Sequence, residues 1–200
     1  ALEMNRPLWG IDVPFTTDIR PIDEGNDSWE MTINTKGVNG PISLDAELIG
    51  NLNPGITVSL FNPIERRSYP LFGDSKIQFK RIRDEFDYPF TVLVGTSEYI
   101  KGKTADLIAQ LPESFSLGQN YPNPFNPITR IPITVPVPSH IQLSIYNLMG
   151  QEVASLANRW YDMGQFHITW DGRDNQGNPL SSGMYFYSLE STDFRKAKKI

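Results

Sequence analysis

The acidic side chains are the first candidates for chemistry, because paired carboxylates at a fixed distance carry out acid and base catalysis in glycoside hydrolases. Two groups have the right residue types: Asp84 with Glu85, and Asp23 and Glu24 with Asp27. Both groups fall in expected loops, and adjacent residues on a strand would point to opposite faces. We therefore interpret these carboxylates as solvated charge, and the sequence predicts no catalytic residue and no enzyme.

The two histidines, His140 and His167, are candidates for metal binding or proton transfer. A histidine metal site needs several converging ligands, and two residues so far apart in the sequence do not supply them. His167 lies between Phe166 and Ile168, so we expect it on the solvent face of a strand. The chain has no cysteine, which excludes disulfides, thiolate zinc sites and cysteine nucleophiles. The sequence predicts no cofactor.

One loop has the oxygen-rich composition of a calcium site. It offers three oxygen ligands, Asp171, Asp174 and Asn175. The EF-hand spacing and its terminal bidentate glutamate are absent. A hairpin turn closed by side-chain hydrogen bonds explains the same residues, so calcium is the weaker interpretation.

Aromatic residues could form a platform for sugar rings, and the four tryptophans are Trp9, Trp29, Trp160 and Trp170. Trp29 and Trp170 alternate with polar residues in phase with a buried face, so we expect them in the core. Trp160 and Tyr161, expected in a loop after Asn158, are the most exposed pair. They are the candidates for carbohydrate binding.

The run Arg195–Lys199 is the only basic cluster in a chain whose net charge is −5. Nucleic-acid binding is disfavoured, because a phosphate backbone needs a broad basic face. Lys196, Lys198 and Lys199 are most simply a solvated edge strand, where lysine blocks unwanted strand pairing. The functional alternative is a contact for an acidic partner.

Short strands are the elements that would carry these residues. In residues 1–110, apolar and polar residues alternate at Trp29–Asn34, Ile42–Leu48 and Phe90–Val94, separated by turn residues. This pattern predicts an antiparallel β-sandwich domain, with Ile11–Ile19 as an added edge strand. Ile100–Leu111 is either a short helix or an irregular linker.

A second set of strands is expected in residues 128–200. Alternating apolar residues mark strands near residues 131–135, 141–145, 153–156, 166–170, 185–189 and from 194 onward. The prolines Pro132, Pro136 and Pro138 predict that the first of these is an edge strand. The fold class is therefore all-β, with two antiparallel β-sandwich domains.

Residues 111–127 are expected to form a stiff, proline-rich connector between the two domains. The residues before each proline are pushed toward extended geometry. Tyr121 and Phe125 are expected to pack the connector onto a neighbouring domain and to be at least partly buried. The connector residues are Tyr121, Pro122, Asn123, Pro124, Phe125, Asn126 and Pro127.

Four motifs together carry a resemblance to a known family: Gln119–Pro127, Ile145–Val153, Trp170–Gly172 and Ser182–Tyr187. In this order they resemble the C-terminal sorting domain of type IX secretion cargo, and they are similar to the Ig-like domain of the flagellar hook-capping protein. The resemblance implies a seven-stranded Ig-like sandwich that the export machinery reads at the end of a secreted protein. The first domain resembles, more distantly, the sandwich that often precedes such a tail.

Two departures from the family bear on the export signal. A histidine common in the family at the position of Phe166 stands here at His167, and the usual residues after the lysines are missing past Ile200. The start Ala1-Leu2-Glu3 is not a natural translation start, so we expect a processed product or the tail of a longer protein.

The sequence therefore predicts a non-enzymatic C-terminal region of a secreted bacterial protein, at the cell surface or outside the cell, that serves sorting and surface attachment. Its expected partner is the secretion machinery or a component of the cell envelope. Two alternatives stay open: a self-associating subunit of an extracellular filament or surface layer, and a carbohydrate-binding accessory to a larger enzyme. No apolar run reaches the length of a transmembrane helix.

Overall fold

A computed structural model of the protein describes residues 25–36, 42–47 and 52–200. The chain divides into two compact units, Ala1–Gln110 and Leu111–Ile200. Nearly all regular structure is antiparallel β-sheet, which confirms the predicted all-β class. The expected edge strand Ile11–Ile19, together with Trp9, Asp23 and Glu24, lies outside the described residues.

The first unit contains six described strands and one helix. They are β1 (Asp27–Asn34), β2 (Ile42–Glu47), β3 (Ile56–Asn62), β4 (Arg67–Leu71), β5 (Asp74–Phe79), β6 (Asp87–Thr96) and α1 (Ser97–Gln110). One sheet has the order β1-β6-β3-β4 and the other pairs β2 with β5. Apolar side chains of both sheets share one core, which includes Val58, Phe79, Tyr88 and Phe90. The clear alternation in β6 follows from this burial.

Helix α1 decides the alternative left open at Ile100–Leu111 in favour of a helix, which is longer than expected. Thr96 caps its start, since its Oγ1 accepts a hydrogen bond from the N–H of Tyr99 at 3.2 Å. Glu98 stands in the first turn, where the helix dipole favours negative charge. Ile100 is buried, and the hydroxyls of Ser68 and Thr104 hydrogen-bond at 2.7 Å.

The second unit contains seven strands in two sheets. They are β7 (Ser116–Leu117), β8 (Thr129–Val135), β9 (Ser139–Tyr146), β10 (Glu152–Tyr161), β11 (Gly164–Trp170), β12 (Phe186–Ser191) and β13 (Phe194–Lys199). One sheet has the order β10-β9-β12-β13 and the other has the order β11-β8-β7. The core between them contains Ile131, Ile133, Val135, Ile141, Leu143, Ile145, Tyr187 and Leu189.

The prediction that β8 is an edge strand is wrong, because β8 lies between β11 and β7. Pro132 is tolerated there because the neighbouring segment uses only its carbonyl, as a hydrogen-bond acceptor, and needs no N–H donor from it. The N–H of Gly118 donates to the carbonyl of Pro132 at 2.8 Å. A Cβ at Gly118 would collide with the Pro132 ring, so glycine permits the close approach.

Candidate functional site

The proline-rich segment is hydrogen-bonded into the second unit. Ser116 and Leu117 form β7 against β8, and the main chains of Tyr121 and Arg130 exchange two hydrogen bonds of 2.9 Å. Residues 116–121 thus run along β8 within their own unit. These residues are therefore part of the second unit, and the prediction that they belong to an interdomain connector is wrong.

Asn120 is the centre of a buried polar network in this segment, and only 2% of its surface is exposed. Its side-chain amide donates to the carbonyl of Pro122 at 3.2 Å and to Thr129 Oγ1 at 2.9 Å. Its carbonyl oxygen accepts from Gln119 Nε2 at 2.7 Å and from Asn123 Nδ2 at 3.1 Å. Every polar atom of the buried side chain therefore has a partner, as burial of an amide requires.

Tyr187 joins this network to the opposite sheet. Its hydroxyl accepts from the N–H of Asn120 at 3.0 Å and donates to the carbonyl of Gly118 at 2.8 Å. Burial raises the pKa of the Tyr187 hydroxyl above its ordinary value, so the group stays a neutral donor. Strand β12 and the proline-rich segment are thereby held together across the sandwich.

The two aromatic residues of the segment behave differently. Tyr121 is 79% exposed, so the prediction that it is partly buried is wrong. Its main chain pairs with Arg130, and the inward position beside it is taken by Asn120. Phe125 is half-buried as expected, and its ring lies 5.2 Å from that of Trp170.

Trp170 anchors this end of the core. It is 2% exposed, its indole N–H donates to the carbonyl of Arg173 at 3.0 Å, and its ring also meets Tyr185 edge-on at 5.6 Å. Gly172 follows with φ of +74°, and Phe125 lies directly over it. The Trp-Asp-Gly motif is therefore a core anchor followed by a turn that only glycine adopts without strain.

The lysine cluster lies on β13, which is an edge strand as expected. Lys196 and Lys198 pair with Leu189 and Tyr187, so they share the core-facing side of the sheet at its rim. Lys199 pairs with Phe186 on the outer side. The three lysines therefore belong to two faces, and inward-pointing charge at an edge opposes pairing with another chain.

Three sheet edges of the second unit are protected against added strands. On β13 the Gln119 side chain donates to the carbonyl of Lys199 at 3.0 Å. On β10 the register shifts twice, and Asn175 Oδ1 accepts from the N–H of Ser155 at 2.7 Å. Strand β7 contributes only Ser116 and Leu117. Bulges, short strands and inward charge are the usual protections of a sheet edge.

The side-chain oxygen atoms of the three calcium candidates, Asp171, Asp174 and Asn175, form hydrogen bonds or an ion pair with other groups of the protein. Asp174 Oδ1 accepts from the N–H groups of Gln176 and Asn178, and Oδ2 accepts from the Asn178 side chain at 3.1 Å. The Asn178 side chain is the largest of the influences that hold the pKa of the Asp174 carboxyl below its ordinary value. Asn175 Oδ1 bonds to β10, and Asp171 pairs with Arg173 at 3.6 Å.

The remaining chemical candidates are separate from one another. Asp84 pairs with Arg81 at 3.1 Å, and Glu85 pairs with Lys36 at 3.5 Å. Asp27 Oδ1 accepts from the N–H of Ser28 at 2.7 Å. In the part of the chain that the structure describes, no three acidic, histidine or cysteine side chains form a group able to hold a metal ion.

The prediction that Trp160 and Tyr161 form an exposed pair in a loop is wrong. Trp160 and Tyr161 lie in β10 and not in a loop, so the alternation of the strand separates them. Tyr161 is buried against Phe166 at 5.0 Å, while Trp160 is 39% exposed and meets His140 edge-on at 6.1 Å. His167 is exposed as expected.

Residues 129–194 match the FlgD Ig-like domain. The match covers strands β8 to β12 and reaches the first residue of β13, about a third of the chain. An Ig-like character of the second unit is therefore supported by both its two-sheet architecture and this match.

A search of solved structures finds a likeness to dimeric latent PorU from Porphyromonas gingivalis. The identity is 15% and the TM-score 0.36, and the alignment covers 91% of this chain but 21% of that protein. The chain thus spans about a fifth of PorU, and the likeness carries no argument about function. No curated protein matches the chain. Among the described residues, no helix is long and apolar enough to span a membrane.

Sequence reasoning missed the network of Asn120, Thr129 and Tyr187. Asn120 and Tyr187 belong to two of the sequence motifs, but the hydrogen bond between them joins positions 67 apart in sequence. One signal was present: a polar residue in an otherwise aromatic and proline-rich segment needs a partner if the segment is buried. The partner could not be named without the fold.

Proposed function

We propose that residues 111–200 are a non-enzymatic sorting and surface-attachment domain of a secreted bacterial protein, recognised by type IX secretion machinery as a folded object. The observation that carries the proposal is the match of residues 129–194 to the FlgD Ig-like domain, within a chain whose motifs resemble the sorting domains of that system. The location at the cell surface and the identity of the receptor are parts of the proposal.

The buried positions of the motif residues support recognition of a fold over recognition of a peptide. Asn120, Trp170 and Tyr187 are inside the second unit, where a receptor cannot read them directly. Their task is to build the sandwich, and the contact with a receptor then falls to exposed groups. The basic rim of β13 is the candidate contact, since Lys196 and Lys199 are exposed and Lys198 is half-buried.

The filament alternative is less well supported. Assembly by strand addition needs an open edge that accepts a strand from the next molecule. The protections on β13, β10 and β7 oppose this at three of the four sheet edges of the second unit, and β11 is the fourth edge. We therefore expect purified protein to sediment as a monomer at high concentration, and strand-mediated polymers would restore the alternative.

The lysine rim can be tested by charge reversal. A reporter fused to residues 111–200 should reach the surface of a host with type IX secretion, and the triple variant K196E/K198E/K199E should be retained inside. Folding should persist, because the exposed substitutions at Lys196 and Lys199 should cost about 0.5 kcal/mol or less each, and K198E replaces one charged side chain at the rim with another. Surface protein is measured by labelling intact cells, and folding by circular dichroism of the purified variant.

A matched control separates the rim from general charge effects. Arg130 is exposed on β8, and R130E should leave export unchanged. Export of the triple variant at the wild-type level would show that the lysines only protect the edge. Equal loss with R130E would show that net charge, and not the β13 rim, governs export.

A further inference from the structure

The outer face of the β10-β9-β12-β13 sheet is organised in rows that cross the strands. Ser144 of β9 lies opposite Ser155 of β10 and Ser188 of β12, and Ser188 lies opposite Ala197 of β13. Directly opposed residues of antiparallel strands share a face. Four small side chains therefore form a continuous row, which we call the serine row.

Ser144 has an unusual environment for a residue on an outer face. It is only 1% exposed, and its Oγ has no hydrogen-bond partner. A hydroxyl with so little exposed surface is closed to a ligand, so Ser144 contributes to this face only by being small. The serine row is therefore a low strip of small side chains, and its exposed members are Ser155 and Ala197.

The row beside it offers further polar groups. Gln142 of β9 lies opposite Asn158 of β10 and Glu190 of β12. Gln142 and Asn158 are exposed amides that both donate and accept hydrogen bonds. Glu190 is neutralised by Arg195 at 3.0 Å. The centre of the face is therefore polar but nearly uncharged.

Aromatic rings stand at both ends of this polar centre. At one end Tyr146 lies opposite Phe186, which is 37% exposed. At the other end Trp160 lies opposite His140. Tyr146 lies six positions after His140 in β9, a distance of about 20 Å at the usual rise of a strand. We call the whole surface the outer sheet face.

We propose that the outer sheet face binds a linear, neutral oligosaccharide laid along the strands. Sugar rings combine an apolar C–H face, which stacks on aromatic rings, with hydroxyl groups that bond to amides and hydroxyls. The outer sheet face presents these features in that order: ring, polar centre, ring. The ring pairs Tyr146–Phe186 and Trp160–His140 share this surface, and they are better candidates for sugar stacking than the pair Trp160 and Tyr161.

The arrangement favours a glycan over a protein partner. A protein interface has an apolar centre and a polar rim, and here the polar groups are central and the rings are at the ends. The charges at the Tyr146 end, Glu152 and Lys199, have opposite signs, which favours a neutral ligand over a strongly acidic or basic one. The inference stands on the second unit alone and does not depend on the proposed sorting function.

The test is affinity electrophoresis of the full chain in gels that contain soluble neutral polysaccharides: laminarin, hydroxyethyl cellulose, arabinoxylan or dextran. At least one should retard the wild type, and W160A and F186A should each weaken that retardation about tenfold. A single bulky replacement of the exposed serine of the row, S155F, should also weaken it. Thermal unfolding monitors the fold of each variant.

Exposed residues outside the rows provide matched controls. Y121A removes an aromatic ring that is more exposed than Trp160, and L148A removes an exposed apolar group at the β9–β10 turn. Both should bind like the wild type. No retardation by any of the four polysaccharides, or retardation that W160A and F186A leave unchanged, would overturn the proposal. Equal weakening by Y121A would also overturn it, because binding would then be nonspecific.

Discussion

Replacing Asn120 with aspartate should lower the free energy of unfolding of the second unit by about 3 kcal/mol at neutral pH. Aspartate keeps the shape but loses both donors, so Pro122 and Thr129 lose their amide partner. A carboxylate oxygen would also face the Pro122 carbonyl. The effect is measured as faster native-state hydrogen exchange of the β9 and β12 amides in the full chain.

The sign of its pH dependence is a second check on the same variant. Burial disfavours a carboxylate, so the folded-state pKa of the new group should be raised above its unfolded value. The destabilisation should then be smaller at pH 4 and grow as the pH rises toward 7. Asn126→Asp is the matched control, since Asn126 is exposed in the same segment and should change exchange little. Equal effects of the two variants would contradict the buried network.

Trp170→Ala should cost the second unit about 4 kcal/mol, since large buried aromatics leave a cavity when truncated. The substitution removes the ring contacts with Phe125 and Tyr185 and leaves the Arg173 carbonyl without its indole donor. The same hydrogen-exchange measurement reports the loss. The amides of the first unit serve as an internal reference in the same sample.

Trp160→Ala provides the matched comparison for this substitution. Trp160 is partly exposed on the outer face of β10, so its truncation should cost about 1 kcal/mol or less. If both tryptophan variants destabilised the second unit equally, Trp170 would not be the anchor that its burial indicates.

The strands with regular alternation could be read from the sequence because one physical rule decides them. In β9, Ile141, Leu143 and Ile145 alternate with smaller or polar residues, and one side of the strand faces the core. The helix was harder to predict. Its start depends on Thr96 as a cap, and a cap is a weak signal beside a glycine in the helix interior.

The proline-rich segment could not be placed from local rules. An aromatic residue is a better guess for burial than an asparagine, yet Asn120 is buried and Tyr121 is exposed. The reason is non-local: Tyr187, Thr129 and Pro122 supply partners that make burial of the amide favourable. The prediction of an edge strand from Pro132 failed for a similar reason, because the place of Pro132 in the centre of its sheet depends on the close approach of Gly118.

The lysines illustrate a limit of a different kind. The sequence places Lys196, Lys198 and Lys199 on one edge strand but does not say which face of that strand meets the core. The register with β12 puts Lys196 and Lys198 on the core-facing side and Lys199 on the outer side. A contact surface is therefore a property of the fold, even when its residues are adjacent in sequence.

The central claim is that the second unit is recognised as a folded domain that includes the proline-rich segment. The most direct measurement compares surface display of a reporter fused to residues 111–200 carrying Asn120→Asp with display of the same fusion carrying Asn126→Asp. Intracellular amounts of both fusions are matched by immunoblot. The account predicts wild-type display for Asn126→Asp and retention inside the cell for Asn120→Asp. Equal display of the two variants, at a temperature at which hydrogen exchange shows the Asn120→Asp second unit to be unfolded, would contradict it, because the signal would then be a peptide that needs no fold.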